Sequence, residues 1–315
     1  MDTQYRRILL PLDGSGVAKS AVATAAAMSR MFNSELLLVT VLHESVKLPR
    51  SVAAGSGSSD SEVEGVAGSE QSARSTAASY LEQLAKDLRE TGVHASCATV
   101  VNTDPASEIV LTARDRGAQM IVMASRGRSG LVRGLLGSVT DRVIHSSPIP
   151  VMVVPADGGH NADGWTPQSI IAPLDGSELA ETALPHVESI SRAANIPITL
   201  VRAVPFPTTY GGDPYGGLPA GLFESAAEDE KEAKRYLSTI ATRLRARGRI
   251  IETHVSNGHP RSEITQIAQD TSDSIVVMTT RGVSGLTRWV VGSIADSVVR
   301  SSGVPVLVIP PTTGI

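Results

Sequence analysis

The stretch Arg7-Ile8-Leu9-Leu10-Pro11-Leu12-Asp13-Gly14-Ser15 occurs again as Ser169-Ile170-Ile171-Ala172-Pro173-Leu174-Asp175-Gly176-Ser177, 162 positions later. In each, a short apolar run ends on Pro-Leu-Asp-Gly-Ser, so a buried strand opens onto a turn with a carboxylate at its mouth. Two further segments repeat at a spacing of 155. Ser125-Arg126-Gly127 through Leu136-Gly137-Ser138 returns as Thr280-Arg281-Gly282 through Val291-Gly292-Ser293, and Pro150-Val151-Met152-Val153-Val154-Pro155 as Pro305-Val306-Leu307-Val308-Ile309-Pro310. Solenoid repeats recur every ~20–50 residues, so this period marks a duplicated domain instead. The 315 residues hold two copies, each large enough for its own core. A polar, glycine-rich run, Ala156 to Gly164, separates them near residue 160. The expected limits are 1–157 and 169–315, with a linker over 158–168.

Short apolar runs alternate with helical patterns within each copy, as in β-α-β units whose parallel sheet is covered on both faces. In the first copy the strands are expected near 7–12, 36–42, 95–101, 119–124 and 150–154. Between them fit an alanine-rich helix after Ser15, a long one ending at Gly92, one opening at Pro105 and one opening at Ser138. Pro105 and Pro260 suit a first helical turn, while Gly92 and Gly248 suit the position just past a helix end. Pro185 falls inside the second copy's first helix and is expected to kink it. The connections after the second strand, around 54–59 and 210–217, differ in character between the copies and are expected to be mobile. The closing strands are apolar throughout, and a bare apolar edge invites aggregation. The economical cover is one closing strand laid against the other about a pseudo-two-fold axis, an internal dimer within one chain.

Hydrophobic residues make up 41% and charged residues 19%, which excludes a disordered chain, and with 2 Trp, 5 Tyr and 3 Phe small aliphatics must fill the interior. A net charge of −4 without long charge runs excludes an electrostatic footprint for nucleic acid or anionic lipid. The single cysteine, Cys97, has no disulfide partner and reads as a small buried hydrophobe in a reducing compartment. No secretory core follows the N-terminal residues and no apolar run is long enough to span a bilayer, so a soluble, cytoplasmic protein is expected.

Comparing one copy with the other filters chance motifs. Gly14 to Ser20 resembles a P-loop only superficially: the required glycines fall on Asp13 and Ala18, and Lys19 becomes Glu181. The Pro-Leu-Asp-Gly-Ser run also resembles the nucleophile loop of haloacid-dehalogenase-type phosphatases, but Pro11 and Pro173 stand where the attacking aspartate belongs. No histidine recurs at a matching position, which removes a duplicated acid-base pair or metal site. What recurs is the carboxylate Asp13/Asp175 and the loop Gly127-Arg128-Ser129-Gly130, six residues, Gly137-Ser138, matched by Gly282-Val283-Ser284-Gly285, six residues, Gly292-Ser293. Both features lie beyond the carboxyl ends of strands, where open parallel sheets bind ligands, and a glycine loop running into a helix N-terminus suits a polyphosphate. An alternative needs no ligand. Ser138 with Asp141, and Ser293 with Asp296, can form capping boxes, and Asp13 and Asp175 can cap first helices. Arg126/Arg281 and Arg133/Arg288 either neutralise phosphate or are simply solvated.

At these residues the sequence resembles the universal stress protein family in its tandem form, over both copies almost end to end. The motifs are the Pro-Leu-Asp-Gly-Ser strand ending, the Ile121-Val122-Met123 strand (Val276-Val277-Met278), the nine residues between Gly127 and Gly137 (Gly282 and Gly292), and the Pro-Val-x-Val closing strand. The resemblance implies two Rossmann-like α/β domains, each a five-stranded parallel sheet of order 3-2-1-4-5 that self-associates through strand five. It also implies ATP, with Mg²⁺, as ligand. Adenine and ribose would meet Pro11, Leu12, Asp13 and Val41, with Met123 and Ala124 nearby, and the phosphates Gly127, Arg128, Gly130, Gly137, Ser138 and Val139. The second copy offers Pro173, Leu174, Asp175, Val204, Met278, Thr279, Gly282, Gly285, Gly292, Ser293 and Ile294. The family motif's first glycine is Ala124 in one copy and Thr279 in the other, and Val283 replaces Arg128, so the first site is expected to bind ATP better. The implied function is a nucleotide-dependent stress-response protein with slow hydrolysis at most. The rivals are a ligand-free dimerisation module, and an AMP or cyclic-nucleotide binder using the same pocket.

Overall fold

The computed structural model describes residues 5–15, 18–42, 61–126, 136–156, 165–205, 220–280 and 291–311. The first half runs β1 (Arg7–Pro11), α1 (Ala18–Phe32), β2 (Glu35–Leu42), α2 (Ser61–Glu90), β3 (His94–Val101), α3 (Pro105–Asp115), β4 (Met120–Ala124), α4 (Ser138–Ser146) and β5 (Val151–Val154). The second runs β6 (Ser169–Pro173), α5 (Glu178–Glu181), α6 (Leu184–Ala194), β7 (Ile198–Val204), α7 (Ala220–Arg245), β8 (Ile251–Asn257), α8 (Pro260–Asp270), β9 (Ser274–Thr279), α9 (Ser293–Ser301) and β10 (Val306–Ile309). The connections at 54–59 and 210–217, and most of the expected linker, lie outside the described residues. Among the described residues no helix is long and apolar enough to cross a membrane.

The ten strands of the described residues form one sheet of order β3-β2-β1-β4-β5-β10-β9-β6-β7-β8, so each half carries the order 3-2-1-4-5. Pairing is parallel within each half and antiparallel where β5 meets β10. There Met152 faces Leu307, with Val151 opposite Val308 and Val153 opposite Val306, so the pseudo-two-fold axis passes through the Met152/Leu307 pair. Alternate strand residues feed two cores, because successive side chains point to opposite faces. Ile8, Leu10, Leu36 and Leu38 pack with α1 and α2 residues such as Met28 and Leu81, while Leu9, Leu37 and Val39 pack with Ile109 and Val143 of α3 and α4. Each core continues across the seam into the second half.

Gly92 and Gly248, at φ 81° and 78°, end α2 and α7 in the left-handed conformation expected of them. Pro185 does more than kink its helix. The segment splits into α5 and α6, with Pro185 in the first turn of α6. Its ring would meet the carbonyl of Glu181, four residues back, and α5 ends at that residue.

Candidate functional site

At the ends of β1 and β6 the chain leaves the sheet in the same way twice. Leu12 and Leu174 are buried, and each donates its backbone N–H to the neighbouring strand, to Val39 O and Val201 O at 2.8 Å. Asp13 and Asp175 then emerge into solvent, where Oδ1 of each accepts the N–H two residues on, from Ser15 and Ser177, at 2.9 Å. Gly14 and Gly176 make this turn at φ 76° and 89°, a region that costs a side chain with a Cβ. Asp175 does not cap a helix: Ser177 is the cap, its hydroxyl accepting the Ala180 N–H at 3.1 Å.

The loops between strand four and the last helix are pinned at both ends. Gly137 donates to Ser125 O at 2.8 Å and Gly292 to Thr280 O at 2.6 Å, while Ser125 and Thr280 donate to Val154 O and Ile309 O. Gly127, Arg128, Gly130, Arg133, Arg281, Gly282, Val283, Gly285 and Arg288 lie outside the described residues. The capping-box alternative is not what forms. Gly137 and Gly292 occupy the cap positions with extended backbones and no side-chain cap, so Ser138 and Ser293 are the first helical residues and are exposed. The carboxylates that would close the boxes are engaged elsewhere. Asp296 pairs with Arg300 at 2.7 Å, and Asp141 pairs across the seam with the same Arg300 at 3.2 Å. Both helices thus begin with amides that no side chain among the described residues caps, the arrangement that favours an anion. Arg126 is not solvated but buried, 8% exposed.

In the second half these pieces enclose a cavity of about 490 Å³. Its walls include Pro173, Leu174 and Asp175 from the end of β6, Met278 and Thr279 from β9, and Gly292, Ser293 and Ile294 from the start of α9. Val204 of β7 also lines it, but Val204 is not the counterpart of Val41. Strand pairing sets Val39 beside Pro11 and Val201 beside Pro173, which makes Ala203 the counterpart of Val41; Ala203 lines the cavity as well. In the first half Pro11, Leu12, Asp13, Val41, Met123, Ala124, Gly137, Ser138 and Val139 sit at the equivalent strand ends and helix start.

Three charged cavity residues escaped the sequence reading: Arg202 of β7, and Asp229 and Glu232 of α7. Comparing copies discards whatever does not recur, and their counterparts are neutral: Thr40, Ala73 and Thr76. Arg202 lies over the Tyr236 ring, 5.0 Å from its centroid. The Tyr236 hydroxyl donates to Glu181 at 3.2 Å; burial, and then the Glu181 carboxylate, push its pKa well above the usual phenol value. Three of the described histidines have structural roles: His186 shares a hydrogen bond with buried Tyr5, His145 sits near Asp141, and His259 caps α8. Cys97 is partly exposed rather than buried, and its thiol donates to Glu82 at 2.9 Å. Desolvation and that carboxylate push the thiol's pKa up to about 11, which leaves it a poor nucleophile. Among the described residues no group of three or more His, Cys, Asp or Glu is placed to hold a metal ion.

The family model described as "Universal stress protein family" matches residues 4–155 and again 167–310. The universal stress protein MJ0531 of Methanocaldococcus jannaschii is 36% identical over 152 residues, 48% of this chain and 82% of that protein. The universal stress protein MJ0577 of the same organism is 32% identical over 160 residues, 49% of this chain and 97% of the relative. Among solved structures, a universal stress protein from Archaeoglobus fulgidus superposes with a TM-score of 0.70 at 20% identity, covering 98% of this chain and 99% of the other, a likeness of fold. With a duplicated Pro-Leu-Asp-Gly-Ser strand ending, two five-stranded halves and a family match in each, the chain belongs to the universal stress protein family, in tandem form.

Proposed function

We propose that this chain binds ATP, as its Mg²⁺ complex, at the two strand-end sites and acts in the cytoplasm as a nucleotide-dependent regulator of the stress response. The observation that carries this reading is the second half's cavity. Strand ends, an exposed aspartate and an uncapped helix N-terminus converge there on a volume suited to a nucleotide-sized ligand. Pro173, Leu174 and Met278 offer an apolar wall for a base, and the amides that open α9 offer donors for phosphate. Mg²⁺ then arrives on the triphosphate rather than in a protein cage, the usual habit of this cation.

Fast hydrolysis is not expected. Asp175, the carboxylate at the mouth, already accepts two hydrogen bonds from Ser177, at 2.9 and 2.6 Å, and serves the turn rather than a water. A steady-state ATPase rate above about 1 per second would overturn that.

The test is thermal unfolding with and without Mg²⁺-ATP. Ligand at a hundred times its dissociation constant adds ~2.7 kcal/mol and must raise the melting temperature. Gly127→Glu, which places a carboxylate in the first half's loop, should remove that half's share of the shift. A melting temperature indifferent to ATP, AMP and cyclic AMP alike would leave the ligand-free dimerisation module as the better reading.

A further inference from the structure

Arg202, Asp229 and Glu232 all line the second cavity, and at the corresponding positions the first half has Thr40, Ala73 and Thr76. The correspondence follows from strand register for Thr40 and Arg202. For the long helices it follows from the buried Leu81, Ala85 and Leu88 against Leu237, Ala241 and Leu244, which precede Gly92 and Gly248 at the same spacing. Three positions that are neutral in one of the two duplicated sites therefore carry charge in the other, on two separate elements that meet at one cavity.

Among the described residues these three charges form no ion pair with one another or with a neighbour. Helix α7 is rich in ion pairs, including Lys234 with Glu230, Lys231 with Glu228 and Arg243 with Glu181. Asp229 and Glu232 form no ion pair among the described residues, and they share the stripe of α7 that carries Ala233 and Tyr236. Arg202 has no carboxylate partner among the described residues either. Its guanidinium is held against the Tyr236 ring and passes 3.2–3.3 Å from where a Cβ on Gly176 would stand. Sheet order separates this group from the phosphate end. β6 lies between β9, which leads to α9, and β7, which carries Arg202, so the cation stands on the far side of the cavity from the helix N-terminus.

We propose that the second cavity selects a guanine nucleotide, with Arg202 donating to O6 and N7 of the base and the Asp229 and Glu232 carboxylates accepting from N1–H and the 2-amino group. This rests on the nucleotide-binding reading above and divides it between the halves. Guanine separates its acceptors, O6 and N7, from its donors, N1–H and the 2-amino group, and a guanidinium fork suits the first pair as carboxylates suit the second. Adenine has a lone pair at N1 where guanine has a proton, so a carboxylate facing that edge is repelled. The first half, with Thr40, Ala73 and Thr76 at these positions, has none of this discrimination.

The test is calorimetric titration of the full chain with the Mg²⁺ complexes of GTP, ITP and ATP. The chain saturated with ATP should still take up GTP at one site, at least about tenfold more tightly than ATP binds there, and ITP, which lacks the 2-amino group, should fall between them. Arg202→Thr should lower GTP affinity about tenfold or more and bring the GTP-to-ATP ratio towards one, with Arg202→Lys recovering part of it. The exposed double variant Asp229→Ala/Glu232→Thr, which removes no buried group, should erase the difference between GTP and ITP. ATP binding at both sites with no preference for GTP would sink the proposal and leave the nucleotide reading standing. GTP selectivity unmoved by all three variants would also sink it. If no nucleotide binds at either site, both readings fall together.

Discussion

Gly176 shows how much one residue carries. Its φ of 89° turns the chain out of β6 so that Asp175 faces solvent and Leu174 stays buried, and Gly14 does the same at 76°. Either glycine replaced by alanine should cost about 1–2 kcal/mol through left-handed strain alone, read as a lowered urea midpoint at unchanged slope. Gly176→Ala also brings a new Cβ to 3.2–3.3 Å from the Arg202 guanidinium, so its cost should be larger in the wild-type background than in Arg202→Thr. Equal losses would mean that the guanidinium moves aside freely. The Asp-Gly pair was legible in the sequence because a turn after an apolar run demands it. Arg202 was not, since an arginine inside a strand pattern reads as a solvated side chain until the fold sets it beside Tyr236 and α7.

Among the elements, α6 makes an unforeseen contact with the first half. His186 of α6 shares a hydrogen bond through Nδ1 with the hydroxyl of Tyr5, which precedes β1, at 2.5 Å, and Tyr5 packs edge-on against Phe32 of α1. Burial drives the His186 pKa down from 6.5 to about 4 and holds the ring neutral. Between those pH values the unfolded chain binds a proton that the folded chain refuses, so this contribution is fully present above pH 6.5 and is lost as pH falls through 4. Wild-type stability should drop on the order of 2 kcal/mol more than that of His186→Gln when pH is lowered from 6.5 to 4.5. Parallel pH profiles in urea unfolding would show that the ring is already charged in the fold. Strand and helix positions were largely legible from apolar spacing. Helix α4 opens at Ser138 as the spacing predicts, and α9 at Ser293; between the two alternatives for their first turns, a glycine cap and a capping box share a sequence, and only the seam decides where Asp141 and Asp296 go.

For the whole molecule, the seam between β5 and β10 turns two sheets into one. It is an apolar layer bordered by ion pairs. Leu307 is fully buried opposite Met152, whereas Arg300 remains partly exposed, its side chain 28% accessible. Leu307→Asp should therefore cost at least ~3 kcal/mol by burying an unpaired charge, Arg300→Ala no more than ~1 kcal/mol, and Ile250→Asp, at a site 62% exposed, almost nothing. A loss from Arg300→Ala as large as that from Leu307→Asp, in the same denaturation series, would put the seam's strength in its charges. The remaining edges lie at β3 and β8. β8 carries exposed Glu252, Thr253 and His254, the polar character that keeps an edge from pairing.

Duplication, the α/β alternation, the strand-end carboxylates and the need to cover an apolar closing strand were all determined by the sequence alone. Each follows from periodicity or local backbone chemistry, which act over a few residues and are written in order along the chain. The tertiary structure alone decided the break at Pro185, the sharing of Arg300 across the dyad, the neutral His186 and the charged trio of the second cavity. Those depend on side chains from distant segments meeting in space, and neither spacing nor composition records such distances.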